Sequence, residues 1–240
     1  PYRSADDRQA VVEIILTLVP FVATWAAMYA VMSISYWLTL LLVPVAACLM
    51  VRLFIVQHDC GHRAMFSSRA VNNWVGRCMG PLTLTPYEYW RYAHSMHHAG
   101  SGNLDKRGFG DIETLTIAEY NSLSTFNKLR YRLYRNPFVL IVIGPAYLFI
   151  IRHRFPLWAL SLGRAQWISI MTTNISIAVL YGAIIYFIGF KAFILIQLPV
   201  VALGASIGVW LFYVQHQFDT TQWDHTETWE HEHSALHGSS

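Results

Sequence analysis

The sequence predicts an all-α, multi-pass integral membrane protein, and three observations carry this prediction. Only 13% of the 240 residues are charged, about half the share that is usual in soluble domains, while 55% are apolar. Four apolar runs are long enough to cross a bilayer, which takes roughly 17–25 residues. Very short turns join these runs in pairs. A soluble domain that buried four such helices would have too little polar surface, so we set that alternative aside.

The four predicted membrane helices form two hairpins, because only three residues separate the two runs of each pair. In chain order the runs cover residues 11–32, 36–56, 168–188 and 192–214. Pro20, Pro44 and Pro199 lie inside them, where neighbouring helices can satisfy the backbone groups that a proline frees. We therefore place the first transmembrane hairpin at residues 1–56 and the second at residues 168–214.

The distribution of positive charge predicts the orientation in the membrane. Fourteen of the 17 Lys and Arg residues lie between Arg52 and Arg164, and the two hairpin turns contain only Lys191. Since cytoplasmic segments are enriched in Lys and Arg, we expect both termini and residues 57–167 on the cytosolic side, as in a bacterial inner membrane. Residues 57–167 are too many for a structureless loop and are predicted to form a helical cap. Residues 215–240 begin a cytosolic C-terminal region.

One stretch of the predicted cap has membrane character. Residues 136–153 are apolar but short, and Gly144-Pro145 is expected to break them, which favours an interfacial or re-entrant segment over a fifth crossing. Cations beside aromatic residues in the cap fit contact with anionic lipid headgroups, or equally a docking face for an acidic electron carrier. These cations are Arg91, Lys128, Arg130, Arg132 and Arg135.

Cysteine usage gives no sign of a disulfide framework or a zinc knuckle. Cys48, Cys60 and Cys78 are odd in number and lie in or beside apolar or cytosolic segments. We expect free thiols in a reducing compartment. The sequence also lacks a Walker loop and a GxGxxG motif, and we expect no nucleic-acid partner.

The first chemical signal is the stretch QHDCGH, where the second apolar run ends. His58 and His62 are spaced i, i+4, so on a helix they are about 40° apart around the axis and about 6 Å apart along it. One metal ion could then be bound from a single helical face. Asp59 is placed to accept a hydrogen bond from a ligating imidazole, whereas Cys60 points elsewhere and is not expected to be a ligand.

A second histidine cluster and a further candidate follow. His94, His97 and His98 in HSMHH occupy i, i+3 and i+4, which is again one helical face. His216 in FYVQHQF ends the fourth apolar run as His58 in FIVQHDC ends the second, and it is either a further ligand or a histidine that bonds to a carbonyl. The remaining histidines are interpreted as structural (His153) or as part of a polar tail (His225, His231, His233 and His237).

Imidazole ligands alone do not select the metal, because they suit zinc, copper, iron and nickel. The absence of HExxH argues against a zinc protease, since no glutamate stands between the paired histidines as a general base. Five or more imidazoles also exceed the three protein ligands of a catalytic zinc. The count therefore favours two metal ions.

These motifs resemble the membrane fatty-acid desaturases, in particular bacterial acyl-lipid enzymes of the Δ12-like type. The resemblance rests on HDCGHRAMFSS with NNWVG after it, on WRYAHSMHHAGSGNLDKRGFGDI, and on FYVQHQFDTTQW, and it extends over nearly the whole chain. It implies a centre of two non-haem iron ions that uses O2 and two electrons to introduce a cis double bond into an acyl chain. It also implies an acyl-lipid or acyl-thioester substrate and an electron donor such as ferredoxin or a b-type cytochrome. The implied metal ligands are His58, His62, His94, His97, His98 and His216.

The sequence departs from the family pattern at its end. The family has a third cluster like HxxHH after the fourth crossing, and the sequence reaches Ser240 before one occurs, so we expect a C-terminally truncated fragment that is inactive by itself. Two alternatives stay open. One is a lipid, carotenoid or alkane hydroxylase with the same metal chemistry, and the other is a non-enzymatic membrane metal or haem protein. Transport would require ionisable residues along the crossings, and the apolar runs hold only Glu13 near one end and Arg52 near the other.

Overall fold

The computed structural model describes residues 5–108, 110–156, 161–218 and 221–238, and the regular elements within them are helices. This confirms the all-α prediction. In chain order the helices are α1 (Asp7–Met32), α2 (Tyr36–Gly61), α3 (Arg69–Thr83), α4 (Tyr87–Gly100), α5 (Ile117–Ser122), α6 (Thr125–Tyr134), α7 (Val139–Arg152), α8 (Arg164–Ile188), α9 (Phe190–His216) and α10 (His231–His237).

Four of these helices, α1, α2, α8 and α9, are long and apolar enough to cross a membrane, which confirms the multi-pass prediction. Each extends a few residues beyond its apolar run, because the hydrogen-bonded backbone continues until a capping residue ends it. Asp6 caps α1 by accepting hydrogen bonds from the backbone N–H groups of Arg8 and Gln9. Helix α2, the second helix of this hairpin, continues to Gly61, so His58 lies in a helical turn and not in a loop.

The chain divides into two compact units. The first comprises Pro1–Arg91 and Pro145–Ile207, and the second comprises Tyr92–Gly144 and Gly208–Ser240. The two units are defined by contacts between residues. Helix α3 and the start of α4 therefore belong to the same unit as the first hairpin. The predicted cap at residues 57–167, which was drawn from sequence composition, stays a prediction.

Buried polar contacts in the first unit attach the start of α4 to the end of α2. The Gln57 side chain is fully buried, donates from Nε2 to the carbonyl of Thr85 over 3.0 Å, and accepts from the Thr83 hydroxyl over 2.6 Å. The Tyr87 hydroxyl donates to the carbonyl of Cys60 over 2.9 Å. Gly76 leaves the room for that ring, because a Cβ atom there would lie 2.3 Å from it. Buried groups that are all paired in this way fix a single packing arrangement.

The expected break at Gly144-Pro145 is wrong. The chain remains helical from Val139 to Arg152, as π-helical turns at Val139–Ile143 and Tyr147–Arg152 with an α-helical turn between them. Proline has no N–H and its ring collides with the carbonyl four residues earlier in an α-helix. The wider π turns accommodate both effects. The chain bends instead between α6 and α7, by 63°, and the pair counts as a fifth crossing only if it is one broken span.

In the second unit, the polar tail is attached to the loop that follows α4. Asn103 and Asp224 form an isolated parallel β-bridge. The carboxylate of Asp105 accepts hydrogen bonds from the Thr226 backbone N–H over 2.8 Å and from the His225 ring over 2.9 Å. These contacts, with that backbone N–H as the largest cause, lower the pKa of Asp105 from 3.8 to about 2. The tail is thereby held on the loop next to the second histidine cluster.

Candidate metal centre

The first histidine pair lies at the C-terminal end of α2. The Nε2 atoms of His58 and His62 are 3.2 Å apart, and the Nδ1 atom of His58 lies 3.0 Å from the Asp59 carboxylate. Asp59 is therefore where the sequence predicted an acceptor for a ligating imidazole. Burial, and secondly the neighbouring His58, lower the pKa of His62, which favours the neutral ring that a metal ion requires. Cys60 is a buried free thiol that packs in an apolar cluster.

The second cluster lies on α4, and the first turn of this helix is fixed against α2. The indole of Trp90 packs on the His58 ring, with 5.6 Å between centroids, and on Phe54, with 5.3 Å. His94 and His98 follow Trp90 by one and two helical turns. Their Nε2 atoms are 3.0 Å apart, so they repeat the i, i+4 arrangement of the first pair.

The buried His97 of α4 forms a pair with the partly buried His216 at the end of α9. The Nε2 atoms of His97 and His216 are 3.2 Å apart, beside a small cavity. The Nδ1 atom of His97 is hydrogen-bonded to the Asp111 carboxylate, and the Nδ1 atom of His216 lies 3.3 Å from the carbonyl of Gly238. The side chains of His97 and Asp111 are only 4% and 9% exposed, so this contact is shielded from water.

This arrangement has a chemical consequence for the two Nε2 atoms. Carboxylate and carbonyl oxygens only accept hydrogen bonds, so each ring carries its proton on Nδ1 to satisfy its partner. When both rings have this single proton, the two Nε2 atoms direct lone pairs toward each other across 3.2 Å. Two lone pairs at that distance repel each other unless a cation lies between them. The geometry would suit two metal ligands, because the Nδ1 atom of each ring has a hydrogen-bond partner and the Nε2 atoms face each other.

The nitrogen–nitrogen distances also suit a shared ion. Imidazole nitrogens lie about 2.0–2.1 Å from a bound transition metal such as zinc, and two such nitrogens about 90–110° apart are then about 2.9–3.4 Å from each other. The three pairs have Nε2 separations of 3.2, 3.0 and 3.2 Å. Imidazole is among the ligands that suit iron. The donor set therefore fits the non-haem iron that the sequence implied.

Asp111 and the carbonyl of Gly238, the hydrogen-bond partners of His97 and His216, were not predicted from the sequence. Asp111 follows two glycines with positive φ, Gly108 at +99° and Gly110 at +78°. A Cβ atom at Gly110 would lie 3.0 Å from the carbonyl of Ala93, so glycine is needed for the loop to approach α4. A glycine-rich loop that ends in an acidic residue was therefore an available signal. The Gly238 contact offers none, because any residue supplies a carbonyl.

The other histidines have different surroundings. His153 is buried, with Tyr89 and Phe149 against its ring, and burial lowers its pKa to about 3, so the ring is neutral. His233 and His237 form an i, i+4 pair on α10 with ring centroids 4.6 Å apart. His225 is bound to Asp105.

Comparison with known proteins identifies the family. The profile of the fatty acid desaturase family matches residues 35–237, a range that contains all six predicted metal ligands. A fatty acid desaturase from Bacillus subtilis is 40% identical over 239 residues, which cover 100% of this chain and 67% of that protein. The chain belongs to the fatty acid desaturase family.

Other relatives in the desaturase family match shorter segments. An sn-1 acyl-lipid omega-3 desaturase (ferredoxin) from Synechocystis is 37% identical over 99 residues, which are 40% of this chain and 25% of that protein. A Delta(12) fatty acid desaturase from Mortierella isabellina is 37% identical over 54 residues, or 22% of this chain and 14% of that protein. The named activities of these desaturases differ in double-bond position, so the family similarity leaves that position open.

Proposed function

We propose that the protein containing this chain is an acyl-lipid desaturase that uses two non-haem iron ions, O2 and two electrons to introduce a cis double bond into an acyl chain. The observation that carries the proposal is the pairing of Nε2 atoms, above all that of His97 with His216. The proposed ligands of the iron centre are His58, His62, His94, His97, His98 and His216. Family membership supports the reaction type.

Iron held by these histidines would activate O2 as the oxidant, because an unactivated methylene has neither an acidic proton nor a leaving group on which side chains could act. The residues of this chain orient the ligands. Asp111 holds the proton of His97 on Nδ1, and Asp59 does the same for His58. Each imidazole is then fixed in the tautomer whose Nε2 atom binds metal, and an ionised acceptor increases the electron-donating strength of that atom. Burial of the His97–Asp111 pair keeps water from competing for the same hydrogen bonds.

The substrate and the electrons are proposed to reach the centre from different sides. Helices α1, α2, α8 and α9 place apolar side chains in the bilayer, where acyl chains lie, and the histidine pairs lie at or after the ends of α2 and α9. A cytosolic position of both termini and of the histidines would let a soluble donor such as ferredoxin, or a b-type cytochrome, deliver electrons. The name of the Synechocystis relative includes ferredoxin as its donor.

Two alternatives would produce different results. A hydroxylase of the same class would add one oxygen to the acyl chain, whereas a desaturase removes two hydrogens. A transporter would require ionisable groups lining a path through the membrane. Glu13 and Arg52, which lie near the ends of the apolar runs, form a salt bridge of 2.5 Å with each other. Their charges are therefore paired, which argues against a transport path through them.

The experiment is mass spectrometry of acyl chains in a host that produces the protein. We expect chains lighter by two hydrogens, and loss of this product when His97 or His58 is replaced by Ala, with the protein still in the membrane. The matched control is His233→Ala, which alters an i, i+4 histidine pair outside the proposed centre and should leave the product unchanged. Chains heavier by one oxygen would indicate a hydroxylase. Unchanged product from both ligand variants would remove the assignment of the centre.

Residues 1–240 by themselves supply six of the proposed ligands, fewer than two iron ions with four or five imidazoles each would need. We expect this segment to bind fewer than two irons per chain, because metal affinity depends on ligand count. Elemental analysis of the purified segment measures this directly. Two irons per chain, together with desaturation, would mean that the tail histidines form a working third cluster.

A further inference from the structure

Helix α6 has a face that the described residues of the protein leave exposed. Phe126, Leu129 and Leu133 on this helix are 73%, 55% and 55% exposed. At 100° per residue they lie within about 60° of one another around the helix axis, so they form one apolar stripe. Arg130 borders the stripe on one side and Arg132 on the other. A stripe of exposed apolar residues bordered by cations is the pattern of a helix that lies in a membrane interface.

The opposite face of α6 is attached to the protein, so the direction of the stripe is fixed. The backbone N–H of Leu115 donates to the Tyr131 hydroxyl over 3.2 Å, and that of Glu113 donates to the Tyr134 hydroxyl over 3.0 Å. Both tyrosines lie about 80–160° around the axis from the residues of the stripe. The apolar side chains therefore cannot turn inward without breaking these bonds.

Of the two cations that border the stripe, Arg132 is held in place by an aromatic residue. The Arg132 guanidinium donates to the Tyr120 hydroxyl over 2.5 Å and lies over its ring, and the Lys128 ammonium donates to the carbonyl of Asn121 over 2.9 Å. The sequence contains no Asp or Glu from residue 120 to residue 218, a stretch that has eight Lys and Arg. The positive charge of α6 is consequently uncompensated along the chain and suits an anionic partner.

We propose that α6 is a membrane-surface anchor that binds anionic glycerophospholipids. Phe126, Leu129 and Leu133 insert at the level of the upper acyl chains, while Arg130 and Arg132 bind headgroup phosphates. An acidic protein would satisfy the cations but would have to cover three large apolar side chains as well. A bilayer interface satisfies both requirements, and α7, which begins five residues after α6 ends, is itself apolar.

The anchor has a consequence for the metal centre. Glu113, whose backbone is bound to α6, is only two residues from Asp111, the hydrogen-bond partner of His97. Attachment of α6 to the membrane surface would therefore hold the Asp111 loop at the level where acyl chains of phospholipids begin. The anchor itself needs neither metal nor activity, so its test is independent of the proposed reaction.

The experiment places an environment-sensitive fluorophore on single cysteines of the protein in lipid nanodiscs. Cys48 and Cys78, which are exposed, are first replaced by Ala. The probe positions are Phe126→Cys and Leu133→Cys on the stripe, with Asn127→Cys, which is exposed on the other side of α6, as the matched control. Nanodiscs contain either phosphatidylcholine alone or phosphatidylcholine with three tenths phosphatidylglycerol, and quenchers are attached to lipid chains or dissolved in water.

We expect lipid-attached quenchers to act at positions 126 and 133 in the anionic nanodiscs, and iodide to act at position 127. Each cation near an anionic surface changes partitioning by roughly fivefold, so Arg130→Gln with Arg132→Gln should lower the ratio of inserted to free α6 by roughly 25-fold. The pair Arg130→Lys and Arg132→Lys should retain insertion. Arg63→Gln with Arg69→Gln, which removes equal charge from another part of the chain, should leave it unchanged.

Three results would overturn the proposal. One is iodide access at positions 126 and 133 equal to that at position 127. A second is insertion that is equal in both lipid mixtures and insensitive to the Gln variants. The third is shielding that occurs only after an acidic ferredoxin is added, which would make α6 a protein-docking face. Circular dichroism of each variant verifies that the fold is retained.

Discussion

Replacing Asp111 with Asn tests how much a buried carboxylate contributes to the metal centre. The substitution preserves the shape of the side chain and removes the charge that holds the Nδ1 proton of His97. Outer carboxylates of this kind typically change metal affinity by about 10–100-fold, or about 1.4–2.7 kcal/mol. Because the His97 and Asp111 side chains are 4% and 9% exposed, water cannot replace the lost interaction. We therefore expect an effect in the upper part of that range.

Asp59→Asn is the matched control, because Asp59 makes the same contact with His58 near the surface. There the His58 and Asp59 side chains are 36% and 44% exposed, and solvent screens their interaction. We expect less than about a threefold change in metal affinity. The assay is competition for iron between the protein and a chelator of known affinity, read as the chelator concentration that removes half the metal. Equal effects of the two substitutions, or a larger one at Asp59, would refute the reasoning from burial.

Three further predictions concern stability. Gly76→Ala places a Cβ atom 2.3 Å from the buried Tyr87 ring, so overpacking should lower the free energy of unfolding by about 1–3 kcal/mol in thermal denaturation. His153→Ala should cost about 2–5 kcal/mol by leaving a cavity, whereas His153→Phe stays stable and both retain activity per folded molecule. The folded pKa of Asp105 is depressed, so its bond to Thr226 is complete above about pH 3.8 and is lost as the pH falls toward about 2. Hydrogen exchange of the Thr226 amide measures that loss, and a protection factor independent of pH in this window would contradict it.

The membrane helices were predictable because their signal is local. A bilayer requires about 20 consecutive apolar residues, and this requirement is visible in any one segment without knowledge of the others. The helix ends were less predictable, since hydropathy falls several residues before the helical conformation ends. His58 and His216 lie in the helical turns that continue past the apolar residues.

The histidine spacing likewise predicted the i, i+4 pairs, because 3.6 residues per turn places such residues on one face. The partners of these rings are non-local or carry no side-chain signal. Asp111 follows His97 by 14 residues, after a loop with three glycines of positive φ, and Gly238 contributes only its backbone carbonyl to His216. The continuity of α7 was missed since an α-helical pattern does not anticipate π turns around Pro145.

The claim that imidazole pairs hold the iron is tested most directly by X-ray absorption at the iron edge of the purified protein. The account predicts a first shell dominated by nitrogen, with the outer-shell scattering of imidazole rings, and a loss of imidazole scattering in His97→Ala and in His216→Ala. A first shell of carboxylate oxygens or thiolate sulfur, or a spectrum that neither substitution alters, would contradict it.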